Sequence, residues 1–163
     1  MTLGAQPLTR RDWLAGAALT LGGGIVKPAQ AASVSLPVPT SLLDELTLAL
    51  KRNSPLVVMV SLDGCPFCRI ARENYLLPLQ NQQGLSIVQI DMRSRQMVLD
   101  FAGAQQTQDQ LIRKWGIKVA PTVLFFGRGG VEVAERLVGG YIPDFYGAYL
   151  DERLHTARAA VQV

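Results

Sequence analysis

The chain has 163 residues, 48% of them hydrophobic, and a formal net charge of +3, enough for one domain with a proper core. Three basic residues (Arg10, Arg11, Lys27) and one acid (Asp12) fall in the first 31 positions, leaving 13 basic against 12 acidic residues, or +1, in the remainder. A near-neutral domain without a basic cluster excludes nucleic acid as an expected partner. The only two cysteines lie three positions apart, which excludes a disulfide framework and leaves a redox pair or part of a metal site.

The chain opens on a pattern that looks like a twin-arginine export signal. Thr9-Arg10-Arg11-Asp12 supplies the charged region, and residues 13–26 form a weak, glycine-rich apolar region that is too short for a confident membrane span. Ala29-Gln30-Ala31 fits a small-residue cleavage site. The expectation is export with removal of residues 1–31 near Ala31, which places the domain in a bacterial periplasm. A general secretory signal and an uncleaved anchor remain open.

Residues 32–39, with two prolines, read as a linker. Ser41 suits a helix N-cap, with Asp44 three residues on. Leu43, Leu46 and Leu50 then share a helical face, and Asn53-Ser54-Pro55 ends it. Residues 56–62 are almost continuously apolar and valine-rich, the pattern of a buried central strand.

That strand runs into Cys65-Pro66-Phe67-Cys68, which opens a helical pattern. A helix N-terminus turns unpaired N–H groups and partial positive charge toward the first cysteine, favouring its thiolate. At this spacing the two sulfurs share a face and can form a short-range disulfide. Pro66 suits a first helical turn, where its missing N–H costs nothing. The helix is expected to reach Leu77 and to stop or kink at Pro78, with Ile70, Ala71, Tyr75 and Leu77 inward and Arg69 and Glu73 on another face.

Further on, residues 85–91 read as a second buried strand and residues 97–101 as a short extra strand ended near Gly103. Residues 107–115 read as a helix capped by Thr107 and closed by Gly116. Residues 122–126 form a third strand, 127–130 a turn, and 131–138 a fourth strand. Pro143 starts a last helix with Tyr146, Leu150, Leu154, Ala157 and Val161 as its inner stripe.

Trp115-Gly116-Ile117-Lys118-Val119-Ala120-Pro121-Thr122 resembles the aromatic-Gly-Ile-x-x-x-Pro-Thr stretch of thioredoxins. Together with the C-x-x-C and the element order, it identifies the chain from about Ser54 to Leu154 as resembling the thioredoxin superfamily, most closely periplasmic thioredoxin-like proteins. Gly64-Cys65 and the late Gly140-Tyr141-x-x-x-Phe145 resemble thioredoxins associated with bacterial sulfur oxidation. The resemblance implies an α/β thioredoxin fold: a central mixed β-sheet flanked by helices, over residues 54–163, behind the signal segment and a linker with an N-terminal helix over residues 32–53.

There are departures. Thioredoxins carry Gly-Pro between the cysteines, where this chain has Pro66-Phe67, which resembles the glutaredoxin Cys-Pro-Tyr-Cys. They also bury an aspartate about six residues before the first cysteine, where Met59 stands.

By this resemblance Cys65 is the attacking nucleophile and Cys68 resolves the mixed disulfide. Pro66 and Phe67 tune the potential. Pro121, expected cis, lies beside the pair with the backbone of Ala120 offered to an extended substrate, and Phe67 is a further partner contact. The implied activity is a thiol–disulfide oxidoreductase without cofactor or resident metal, acting on protein disulfides or thiols. A reductase fed by a membrane thiol-transfer protein is expected, with a disulfide-donating oxidase as the alternative. With no dimerisation domain attached, a monomer is expected.

The second functional class is a metal-delivery module using the same thiolates, softness favouring copper(I). A two-cysteine site needs further ligands. The one histidine, His155, falls late in the last helix and reads as a solvated residue, and Met59 reads as core. Phe101, Trp115, Phe125, Phe126 and the aromatic residues from Tyr141 to Tyr149 read mainly as packing residues. Lys51, Arg52, Arg113 and Lys114 read as solvated helix ends.

Overall fold

The structure is a computed structural model that describes Met1, residues 35–140 and residues 143–162. The predicted export segment beyond Met1, its cleavage site and Tyr141 lie outside the described residues. The chain divides into two units, Met1–Ala31 and Ala32–Val163, and every element below belongs to the second.

Helix α1 spans Leu42–Lys51. The Ser41 hydroxyl accepts from the Asp44 amide at 3.1 Å, acids occupy its first turn, and Lys51 sits in its last, so cap and macrodipole agree. Its buried residues are Leu42, Leu46 and Ala49, which corrects the expected stripe. Leu43 is exposed and Leu50 only partly buried, because the cap at Ser41 turns Leu42 onto the sheet and its neighbour away.

Strand β1, Leu56–Ser61, is buried at all six positions. It pairs in parallel with β2 (Ile87–Asp91) and antiparallel with β5 (Thr122–Phe126), which in turn pairs with β6 (Leu137–Val138). The order is β2-β1-β5-β6. Both faces of β1 are covered, which is why its sequence shows no polar alternation. Val57 and Met59 face a core with Cys68, Leu76, Tyr146, Leu150 and Leu154; Leu56, Val58 and Val60 face one with Leu42, Leu46, Leu111 and Ile112.

After β1 the chain forms α2 (Pro66–Ile70), a π-helical stretch (Ala71–Leu76) and α3 (Leu77–Gln83). The expected stop at Pro78 does not occur. Proline cannot donate back along the helix, and the wider turn of the π stretch just before it loosens the ladder where that donor is missing. The extra residue also shifts the inward face. Leu76 joins Ala71 and Leu77 inside, while Ile70 is exposed.

Residues 36–40 are not a linker. Leu36 is 4% exposed, the Pro37 carbonyl accepts from Gln89 at 2.9 Å and the Thr40 carbonyl accepts from Leu99 at 2.9 Å. This segment covers the outer edge of β2, which would otherwise lie open.

The extra strand is shorter than expected. β3, Met97–Leu99, pairs with β4, Gln105–Thr107, which the sequence reading missed. Asp100 ends β3 by accepting the amides of Ala102 and Ala104 at 2.9 Å each.

Helix α4, Gln108–Lys114, carries a capping box between Thr107 and Gln110. The fourth strand is also shorter than expected. Only Leu137–Val138 is regular, with one bridge from Glu132 to Phe126. Arg136 instead turns in, donating to the Trp115 carbonyl at 2.9 Å and pairing with Glu132, so the segment bends. Helix α5, Pro143–Val161, buries the stripe its spacing predicts: Tyr146, Leu150, Leu154, Ala157 and Val161.

Candidate active site

The site forms where β1 ends. Residues 62–64 turn the chain, with Gly64 at φ +70°, a left-handed backbone that glycine adopts without strain. The Cys65 amide donates to the Leu62 carbonyl at 3.2 Å. Cys65 then stands as the N-cap of α2 with Pro66 in the first helical position.

Cys65 and Cys68 are joined as a disulfide, their Cα atoms 5.3 Å apart. The two sulfurs have different surroundings. Cys65 is partly exposed and its Sγ accepts from the Cys68 amide at 3.1 Å; Cys68 is 1% exposed. An incoming nucleophile or disulfide therefore reaches Cys65 first.

Across the pair lies the loop before β5. The Ala120–Pro121 peptide is cis, and Cys65 Sγ lies 3.9 Å from the Ala120 carbonyl oxygen. The Pro121 carbonyl accepts from Gly139 at 2.7 Å, while the Ala120 N–H has no partner among the described residues. A backbone donor and acceptor beside a reactive sulfur is the arrangement an extended peptide adds to.

Gly140 closes this side. A Cβ there would lie 3.4 Å from Phe67 Cβ and 3.6 Å from Pro121 Cγ, so the three residues form one continuous surface. Phe67 is 45% exposed, and a shallow apolar depression runs from it past Ile70 to Tyr75 and Tyr146. The Tyr146 hydroxyl is buried without a hydrogen-bond partner among the described residues; burial, and then the neighbouring Tyr75, push its ionisation above the ordinary phenol value.

The opposite side of the disulfide is polar. A cleft of about 890 Å³ opens there, lined by both cysteines and by Asp63, Arg69, Arg72, Gln89, Asp91 and Arg93 among others. Gln89 and Asp91 alternate with the buried Val88 and Ile90, which face the other core, so their side chains lie on the face of the sheet that carries Cys68. Arg72 Nη1 donates to Gln89 Oε1 at 3.0 Å, and Gln89 Nε2 donates to Asp91 Oδ1 at 3.0 Å. Met59 is fully buried in the core that holds Cys68 and brings no carboxylate there.

Cys65, Pro66, Phe67, Cys68, Ala120 and Pro121 thus come together from two distant stretches of chain. His155 does not join them; it is exposed near the end of α5. Among the described residues no group of three or more His, Cys, Asp or Glu side chains converges as a metal site, and no helix is long and apolar enough to cross a membrane. The cleft residues escaped the sequence reading. Their signal was the Arg69/Arg72 spacing, one turn apart just after Cys68, and the alternating Gln89 and Asp91 at the end of β2.

The profile of a family described as a thioredoxin-like domain matches residues 42–153. No curated protein is detectably similar to the chain. Among solved structures it is similar to thioredoxin O2 of Arabidopsis thaliana, at 21% identity and a TM-score of 0.48, covering 74% of this chain and 95% of that one. It is also similar to mitochondrial thioredoxin 3 of Saccharomyces cerevisiae, at 16% identity and 0.48, covering 74% and 93%. For the protein Trxlp of Edwardsiella tarda the identity is 24% and the TM-score 0.44, covering 64% and 88%.

Proposed function

This chain belongs to the thioredoxin-like domain family and is a thiol–disulfide oxidoreductase, and from that premise we propose that it works in the periplasm as a reductase of protein disulfides. The observation that carries the chemistry is the asymmetry of the pair: a partly exposed Cys65 that receives an amide hydrogen bond, and a buried Cys68.

In the reducing direction the Cys65 thiolate attacks one sulfur of the partner's disulfide. A Cys65–partner bond forms, the partner's own S–S bond breaks, and the departing sulfur leaves as a thiolate that takes a proton. Cys68 then loses its proton and attacks Cys65 Sγ, closing the Cys65–Cys68 disulfide and releasing the partner's second thiolate. Two electrons have passed to the partner, and a membrane thiol-transfer protein restores the dithiol. The partner's chain lies extended against the backbone of Ala120, with Pro121 and Phe67 beside it. Pro66 and Phe67 set how far the Cys65 thiolate is stabilised. The chain acts as a monomer in this reading.

The location rests on Arg10-Arg11, the apolar region after them and Ala29-Gln30-Ala31. The test supplies the purified chain with a dithiol reductant and follows reduction of a protein disulfide. Turnover is expected, with Cys65→Ser inactive and Cys68→Ser accumulating a mixed disulfide with the partner. A Cys65→Ser variant that still turns over rejects the scheme.

A further inference from the structure

The cleft on the polar side of the disulfide has no part in the steps above. Its walls carry three arginines, Arg69, Arg72 and Arg93, against two carboxylates, Asp63 and Asp91. Asp91 is held internally. Its carboxylate accepts from Gln89, its amide donates to Gln108 Oε1 at 2.8 Å, and the other end of Gln89 holds Arg72. Arg72 is therefore oriented, with guanidinium donors left over. Arg69 and Arg93 are exposed, and their side chains make no hydrogen bond or ion pair among the described residues.

Arg93 adds a separate observation. Its φ is +64°, in the left-handed region that is costly for any residue with a side chain. The conformation is enforced from α4: the Arg93 amide donates to Asp109 Oδ1 at 2.9 Å, and the Asp109 amide donates to the Ser94 carbonyl at 3.2 Å. Glycine would meet that backbone requirement without strain. A long cation stands there instead, on a pinned loop at the wall of the cleft.

We propose that this cleft receives an acidic segment of the partner protein, flanking the cysteine that exchanges with Cys65. The proposal rests on the oxidoreductase reading and adds a substrate class to it. A partner cysteine at Cys65 leaves its chain two ways to run: along Ala120, Pro121 and Phe67, or into the cleft. A volume of about 890 Å³ is at the upper end for a small-molecule pocket, room for more than one side chain. Guanidinium groups pair carboxylates in forked geometry. Single exposed pairs contribute little, so selectivity comes from the excess of the three arginines over Asp63 and Asp91 in one concavity and from steering of the encounter.

The test uses the full chain and two peptides, each with an internal disulfide, identical except that the residues flanking one cysteine are Glu in one and Gln in the other. At low salt kcat/KM for the Glu peptide is expected to exceed that for the Gln peptide by about tenfold, the ratio falling as salt rises. Arg69→Gln and Arg93→Gly should each move the ratio toward one; the second also relieves the strained backbone, so it does not endanger folding. Arg52→Gln, an exposed residue at the end of α1, should leave it unchanged. A ratio near one in the unmodified chain, or one that both cleft variants preserve, overturns the proposal. Dithiodipropionate serves as a small dicarboxylate disulfide. If it shows the same arginine-dependent gain, the cleft belongs to small anionic thiols and the peptide assignment falls. If neither peptide is turned over, the oxidoreductase reading itself has failed, and titration with a cysteine-free Glu peptide decides the cleft. Weaker binding by Arg93→Gly supports it, and equal binding rejects it.

Discussion

The amide of Cys68 donates to the sulfur of Cys65 at 3.1 Å, so the buried cysteine supports the exposed one through its backbone. In the reduced protein the same donor faces a thiolate, to which a hydrogen bond is stronger than to a neutral sulfur. The helix N-terminus adds partial positive charge. Alkylation of the reduced chain at mildly acidic pH should therefore label Cys65 at least about tenfold faster than Cys68. Mass spectrometry of the singly labelled product checks this, and equal labelling or a preference for Cys68 contradicts it.

Asp100 ties the β3–β4 hairpin to α4. Its carboxylate accepts from the Ala102 and Ala104 amides, from Gln106 and from Lys114. Burial pushes its ionisation up, but the Ala104 amide, Lys114 and the Ala102 amide together outweigh that and hold it below the ordinary value of 3.8. A carboxyl depressed on folding contributes stability above its unfolded value, lost as pH falls through the folded one. Asp100→Asn should cost about 1–3 kcal/mol at pH 7, mostly from amides left without an anionic acceptor. Lys114 adds little, being 64% exposed. Urea titrations should show the gap between the two proteins closing below about pH 4; a gap independent of pH would mean the charge is not what matters.

Gly130 ends the short 3₁₀ turn after β5 with φ +70°. A Cβ there would lie 2.5 Å from Phe101 Cβ, and Phe101 packs on Phe126 at 4.6 Å between ring centres. Both backbone and space are unfavourable, so Gly130→Ala should destabilise by about 1–3 kcal/mol or more. A thermal unfolding midpoint equal to that of the unmodified chain would contradict the packing described.

Where a signal was local, the sequence was legible. The unbroken apolar run of β1, the cysteine pair at a helix start, the Thr107 cap and the α5 stripe each follow from residues a few positions apart. The misses have tertiary causes. Residues 36–40 look like a linker until Leu36 and two carbonyls dock on the sheet. β4 is Gln-Gln-Thr and shows no apolar alternation; it exists because Asp100 turns the chain back. The π stretch brings Leu76 inward beside Leu77, which regular helical spacing did not assign, while Ile70 just before it faces out. The cleft draws on the ends of two strands, one helix and a left-handed arginine, and no window of sequence holds them together.

The proposed export rests on the first 31 residues. A fusion of residues 1–31 to a reporter that must fold before transport should reach the periplasm, and replacing Arg10 and Arg11 by lysine should retain it in the cytoplasm. Fractionation of the two fusions checks this. Equal periplasmic amounts would reject the twin-arginine reading and leave a general secretory signal.

The proposed direction of electron flow draws on what surrounds Cys65. A strong disulfide donor needs a reduced form favoured by added charge or hydrogen bonds at the nucleophilic sulfur. Between the cysteines stand Pro66, which has no N–H, and Phe67, which has no polar side-chain atom. The Cys68 amide donates to Cys65 Sγ. Met59 affects rate more than potential: it brings no carboxylate into the core that holds Cys68, so proton removal from the resolving thiol is expected to be slow. In this reading the reduced form is only moderately favoured. Equilibration in redox buffers should give a potential in the glutaredoxin range, roughly −200 to −230 mV, or lower. At that poise the pair donates disulfides poorly beside a strong oxidant near about −120 mV, and a reduced membrane donor can keep it as a dithiol. A measured value above roughly −150 mV, or rapid oxidation of unfolded dithiol substrates by the purified disulfide form, would reverse the assignment and make the chain an oxidase.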